Sequence, residues 1–228
     1  MADIEVTHDE AEDVIVPDVT VLIPTYNGAD SIMDTVNSCY AGNDSITVEV
    51  IVGNDCSSDD TKSVLKENDV QNLTTRSRIG KGAILNRIWE TATGRYVLVL
   101  AGMDTLEPGA LSRLVNEFDE VVGIYDRTDL FLYGQTQYYG ARNTLHKPAP
   151  FNARQFALVN PVCSVVIVHR DTVSERGLKY REGEEDVNGD WVYMQDLVAA
   201  NFRGVPLQQT LVLHYQHYPE KRQFGDHA

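Results

Sequence analysis

A three-layer α/β fold built around a central, mostly parallel sheet is what this sequence predicts, and three observations carry the prediction. Short runs rich in β-branched residues recur: VTVLIP at 19–24, VEVIVG at 48–53 and YVLVL at 96–100. Each run is nearly all apolar instead of alternating, which marks a strand covered on both faces. Between the runs, apolar residues repeat at helical spacing, and strands joined by helices in this way form a parallel sheet.

Taken in chain order, the first strand at 19–24 ends in the loop TYNGAD, and Ile32, Met33, Val36, Cys39 and Tyr40 then trace one face of a helix. The second strand at 48–53 leads into SSDDTKSVLKEN, whose opening Ser and Asp residues suit the first free amides of a helix. A third short strand is placed at 70–73. Residues 81–93 carry Ile84, Leu85, Ile88 and Trp89 on one helical face and stop at Gly94, read as a left-handed cap. The fourth strand, 96–100, is followed by AGMDTLEPGALSRL, in which Pro108 stands where a first-turn proline is tolerated. Farther on, Trp191, Met194, Leu197, Val198 and Phe202 predict a helix that starts at Asp190 and ends near Gly204.

Composition sets the outer limits. With 228 residues and 43% apolar side chains, the chain closes one core more readily than two. The net charge is -15, and it is uneven: residues 1–18 hold seven acids and no Lys or Arg, and read as a solvated leader. The remaining chain, at 19 basic against 27 acidic residues, is still acidic, which argues against a broad electrostatic grip on nucleic acid. No apolar run reaches the roughly 20 residues a membrane helix needs, and the start lacks the basic-then-apolar pattern of a signal peptide, so a cytoplasmic location is expected. Cys39, Cys56 and Cys163 are odd in number and far apart, the pattern of reduced thiols and not of a disulfide framework or zinc ribbon. One local exception to the acidity is TTRSRIGKGAILNR, where Arg76, Arg78, Lys81 and Arg87 are close enough to face a small anion.

Ligands of open parallel sheets bind beyond the carboxyl ends of the strands. That places TYNGAD, NDCSSDD and AGMDTLEP side by side, with Tyr26, Asn27, Asp55 and Asp104 at one mouth.

In order and spacing, VTVLIPTYNGADSI, VEVIVGNDCSSDDT, GKGAILNRIWETATGRYVLVL and the following Asp-Thr-Leu-Glu-Pro-Gly-Ala-Leu resemble the first half of family 2 glycosyltransferases, closely over residues 19–115. The resemblance implies the GT-A (Rossmann-like) fold, with residues 19–120 as the nucleotide-sugar-binding half and 121–228 as the acceptor-binding half of one domain. It implies that Pro24, Thr25, Tyr26 and Asn27, together with Asp55, hold the base and ribose. An aromatic ring stacks on a pyrimidine, and a carboxylate accepts the N–H of uracil, so UDP is the expected carrier. The family's usual Asp-Asp-Gly-Ser reads here Asn54-Asp55-Cys56-Ser57. Arg76, Arg78 and Lys81 are the expected diphosphate ligands, and Asn86 a packing residue.

The resemblance also implies an Asp-x-Asp motif after the fourth strand, whose acids bind a divalent ion. Aligned without gaps, those acids fall on Ala101, Met103 and Asp104, and only Asp104 is an acid. Mg²⁺ and Mn²⁺ want oxygen ligands, so Met103 is no substitute. Asp104 is therefore the expected metal ligand, or else a helix cap, with His217 as a second ligand on a C-terminal segment folding back. Asp190 is the expected catalytic base for inverting transfer to an acceptor hydroxyl, ahead of Asp186 and Asp196. The acceptor is a saccharide, a protein or, against the net charge, a nucleic acid. The rival readings are a nucleotide-sugar-binding module that has lost catalysis, prompted by Ala101 and Met103, and a nucleotidyltransferase. The second wants a basic glycine-rich loop after the first strand, and TYNGAD carries no positive charge.

Overall fold

The structure is a computed structural model, and it describes residues 15–140, 143–156, 158, 165–183 and 189–216. Cys163, Asp186 and His217 lie outside the described residues. The elements run β1 (Val19–Thr25), α1 (Ile32–Tyr40), β2 (Val48–Asn54), α2 (Thr61–Glu67), β3 (Asn72–Thr74), α3 (Lys81–Trp89), β4 (Tyr96–Val99), β5 (Asp104–Leu106) and α4 (Ala110–Tyr125). The chain continues with β6 (Leu130–Gly140), β7 (Thr144–His146), α5 (Ala153–Phe156), β8 (Val166–His169), α6 (Arg170–Glu175), α7 (Gly189–Ala199) and β9 (Arg203–Gln216).

One sheet holds every strand among the described residues, in the order β3-β2-β1-β4-β8-β6-β9-β5, with β7 beside β6. The β3-β2-β1-β4 half is wholly parallel, as expected. Beyond it β8 is antiparallel to both β4 and β6, β9 runs parallel to β6, and β5 and β7 are antiparallel additions. Alternation along β1 sorts the core: Val19, Val21 and Ile23 face a cluster built with α1, α2 and α4, while Leu22 faces one built with α3, α5, α6 and α7. Those two faces make the three layers. Each fully buried Leu, Ile or Phe in them contributes about 1.5–3 kcal/mol relative to exposure, which is what holds the layers together.

Several expectations about individual elements are corrected. Pro108 does not open α4; the helix starts at Ala110, after Gly109 in the left-handed region at φ 73°. Gly94 is no left-handed cap. A Cβ there would lie 2.6 Å from the Thr20 amide nitrogen and 2.8 Å from the Val19 carbonyl carbon, so its smallness lets the turn into β4 press against β1. Helix α7 ends at Ala199 and not near Gly204, because Asn201 takes up the left-handed conformation at φ 65° that stops it. Gly204 belongs to β9, packed against the Phe131 and Phe151 rings. On α1, Thr35 is buried and Tyr40 exposed, the reverse of the apolar pattern. No helix among the described residues is long and apolar enough to cross a membrane.

Candidate active site

The loops after β1, β2 and β4 meet at one rim of the sheet. Pro24 and Thr25 are the last residues of β1, beyond Leu22, where its ladder with β4 ends, so the missing N–H of Pro24 breaks no pairing on that side. Asn27 stands in the left-handed region at φ 52° and ties the first loop to the second. Its Oδ1 accepts from the Ser58 amide at 2.8 Å, and its own amide donates to Ser57 Oγ at 2.9 Å. The Gly28 amide donates to Thr61 Oγ1 at 2.9 Å, and the Asp55 amide donates to the Thr25 carbonyl at 2.9 Å. The third loop closes on the same place: Ser31 Oγ donates to the Gly102 carbonyl at 2.9 Å, and Gly102 packs on Thr25.

Asp55 is buried, with 3% of its surface exposed, so its charge must be met locally. Oδ1 accepts from the Ile79 amide at 2.8 Å and Thr75 Oγ1 at 3.3 Å; Oδ2 accepts from the Gly80 amide at 2.9 Å. This carboxylate therefore anchors the β3–α3 loop that carries Arg76 and Arg78 and delivers Lys81 to the first turn of α3. Arg78 lies with its guanidinium carbon 3.7 Å from the centre of the Tyr26 ring and its Nε 3.7 Å from Asp55. Tyr26 is exposed, but one face of its ring is already covered by this cation. Arg76 is exposed on the same loop. Cys56, in the place of the family's glycine, holds φ at 57°.

Asp104 is no helix cap, because α4 begins six residues later; it opens β5, a strand the sequence pattern did not reveal. It is 5% exposed, and its Oδ1 lies 2.5 Å from His214 Nδ1. Asp104, His214 and Tyr138 are register partners across β5, β9 and β6, so their side chains share one face of the sheet, with the Tyr138 and His214 rings 5.1 Å apart edge to face. His214 is a candidate site residue that sequence reasoning passed over in favour of His217. The signal that would have found it is the pairing of β5 with β9, which joins positions 110 residues apart and has no local signature.

Among the described residues no three His, Cys, Asp or Glu side chains group together as a metal cage. What the rim offers is one carboxylate and one imidazole. With Nδ1–H donated to Asp104, Nε2 is the nitrogen left for another partner, the arrangement common for metal-bound histidines. For a Mn²⁺ or Mg²⁺ ion at Nε2, Asp104 would stand behind the imidazole and not on the ion, so phosphate oxygens and water would have to make up most of the shell.

Asp190 sits in the first turn of α7, and its Oδ2 lies 2.5 Å from Lys81 Nζ. The candidate base of the second half is thus brought to the start of α3, next to the Asp55-anchored loop. Asp190 Oδ1 is shielded from solvent and has no hydrogen-bond partner among the described residues. Of the rival acids, Asp196 is occupied by Arg181, with distances of 2.8 and 3.1 Å. Asn86 holds the approach to α7 in shape, exchanging hydrogen bonds of 2.9 Å with both the carbonyl and amide of Tyr180. Arg87 is exposed on the outer face of α3. A cavity of about 330 Å³ lined by Asn86, Trp89, Glu90, Ser174, Tyr180 and Tyr193 lies beside the C-terminal end of α3.

Comparison with known proteins agrees with this geometry. The glycosyl transferase family 2 profile matches residues 20–177. The chain belongs to glycosyl transferase family 2. Among curated proteins of this kind, the succinoglycan biosynthesis protein ExoO of Rhizobium meliloti (strain 1021) is 35% identical over 107 residues, 46% of this chain and 30% of that protein. The uncharacterized glycosyltransferase RP339 of Rickettsia prowazekii (strain Madrid E) is 27% identical over 123 residues, 54% of this chain and 37% of that one. The matched stretch is therefore about a third of either relative. By shape, S. aureus TarS 1-349 in complex with UDP-GlcNAc superposes with a TM-score of 0.69 at 17% identity, covering 89% of this chain and 60% of that one. The mannosyltransferase PcManGT from Pyrobaculum calidifontis, in complex with GDP-Man and Mn²⁺, gives 0.60 at 18% identity over 92% and 59% of the two chains. These likenesses establish the GT-A fold for this member of the family.

Proposed function

We propose that this family 2 chain transfers a sugar from a nucleoside diphosphate, with UDP as the carrier, to an acceptor hydroxyl by a single displacement with inversion. The observation that carries the reading is the contact of Lys81 with Asp190, which sets a carboxylate from the second half against the loop of arginines beside the strand ends. Pro24, Thr25, Tyr26, Asn27 and Asp55 receive the nucleoside. Asp55 Oδ2, which accepts one backbone bond from Gly80, has acceptor capacity beyond it for the N–H of uracil. Arg76 and Arg78 face the diphosphate and neutralise it through charge-assisted hydrogen bonds, whereas Lys81, expected among its ligands, is engaged by Asp190. His214, oriented by Asp104, and His217 are the residues that would hold a divalent ion, which when bound would stabilise charge on the leaving diphosphate.

In the transfer, Asp190 takes the acceptor O–H proton as that oxygen attacks the anomeric carbon from the side opposite the diphosphate. The bond from the anomeric carbon to the diphosphate oxygen breaks, and its electron pair leaves with the diphosphate. Titration calorimetry with UDP and GDP, with and without Mn²⁺, tests the donor half. The expected results are tighter UDP than GDP binding, strengthened by Mn²⁺, with the Mn²⁺ effect lost in Asp104→Asn. Donor turnover in wild type that falls by about 10²–10⁴-fold in Asp190→Asn, the span a general base contributes, is the expected catalytic result. Donor binding with no turnover would favour the binding-module reading that Ala101 and Met103 suggest.

A further inference from the structure

The geometry points to Lys81 as a positioning residue that fixes which oxygen of Asp190 receives the acceptor proton. The inference rests on the reading of Asp190 as the base and adds a division of labour between its two oxygens. Oδ2 is held 2.5 Å from the Lys81 ammonium. Oδ1 has no hydrogen-bond partner among the described residues, although about half of the side chain is exposed. A carboxylate oxygen without a partner is costly to keep, and a hydroxyl that reaches it supplies the missing hydrogen bond.

Lys81 is itself held from several sides. The amides of the two residues before it, Ile79 and Gly80, are bound to Asp55. The next residue, Gly82, packs so closely on the Arg181 carbonyl that a Cβ would collide with it. Asn86, one turn farther along α3, locks Tyr180 to the helix. The lysine thus projects from a fixed helix start onto α7, and it is partly buried, with 30% of its side chain exposed. In this arrangement its charge is spent on the base and not on the diphosphate, so the donor loses little when it is removed.

The test compares Lys81→Met, Lys81→Arg, Asp190→Asn and the Lys81→Met/Asp190→Asn double variant by UDP release from UDP-GlcNAc, with UDP affinity measured by calorimetry. Lys81→Met is expected to lower kcat by about 10-fold or more while the donor KM and the UDP Kd stay within about twofold. Lys81→Arg is expected to recover part of kcat, and the double variant to be no slower than Asp190→Asn alone, as for residues acting as a unit. An unchanged kcat in Lys81→Met, or a roughly tenfold weaker UDP affinity, overturns the inference. Full turnover in Asp190→Asn overturns instead the reading of Asp190 as the base. A second measurement needs no turnover: in lysine-selective ¹⁵N spectra, the Lys81 ammonium signal is expected to shift in Asp190→Asn and to keep its position when UDP is added. A signal that ignores Asp190→Asn, or that moves with UDP, likewise overturns it.

Discussion

Cys56 occupies a backbone conformation that L side chains enter at a cost of about 1–2 kcal/mol, and its φ of 57° explains why the related motif carries glycine there. Cys56→Gly is expected to raise stability by about 1 kcal/mol, the relief of strain less the added freedom of the unfolded glycine, and to lift the melting temperature by about 2–4 °C in calorimetry. The other described thiol, Cys39, is buried and donates to the Thr35 carbonyl at 3.4 Å; burial pushes its pKa up to about 12. Iodoacetamide is expected to spare Cys39 in the folded protein and to modify it after denaturation. A third residue-scale effect is electrostatic. His169 caps α6 by accepting from the Thr172 amide, and burial holds its imidazole below the ordinary value of 6.5. Protonation therefore favours the unfolded chain. The stability that His169 contributes is present above about pH 6.5 and is lost as the pH falls through its folded value. Urea midpoints measured between pH 8 and 5 should fall on the acid side, and His169→Asn, which keeps a capping oxygen, should flatten that dependence.

At the scale of elements, most of what the sequence announces is local. The runs at 19–24, 48–53 and 96–100 become β1, β2 and β4 because β-branched residues buried on both faces leave one pattern to read. Helix α3 is legible from Ile84, Leu85 and Ile88, all buried. What stays hidden are features made by distant partners. Strand β5 is three residues long and exists through its pairing with β9. The role of Gly94 is likewise invisible locally, since its reason is the backbone of β1 pressing against it. Gly94→Ala drives a Cβ into backbone that has no room to yield, so a loss of about 2–3 kcal/mol is expected in denaturant titration, the cost of overpacking. At the site the same division holds. Tyr26, Asp55 and Asp104 follow from strand ends and motif spacing, whereas His214 and the Lys81–Asp190 contact depend on which parts of the second half fold back on the first.

For the molecule as a whole, the two core clusters lie on opposite faces of one continuous sheet, and the rim is assembled from both ends of the chain. Removing His214 leaves the Asp104 carboxylate buried without its partner, which costs about 3 kcal/mol or more. His214→Ala is therefore expected to lower the urea midpoint and, at the same time, to remove any gain in UDP affinity from Mn²⁺. A variant that loses the metal effect at unchanged stability would separate the two roles.

The pairing of β5 with β9 bears on how the protein is made. On the ribosome Asp104 emerges 110 residues ahead of His214, so the nascent chain can lay down β1 to β4 while the outer edge of its future cleft is still missing. On the proposed reading, competence to grip a charged sugar carrier arrives with the last described strand, and a polypeptide stalled before it would hold a nearly finished scaffold around an incomplete mouth.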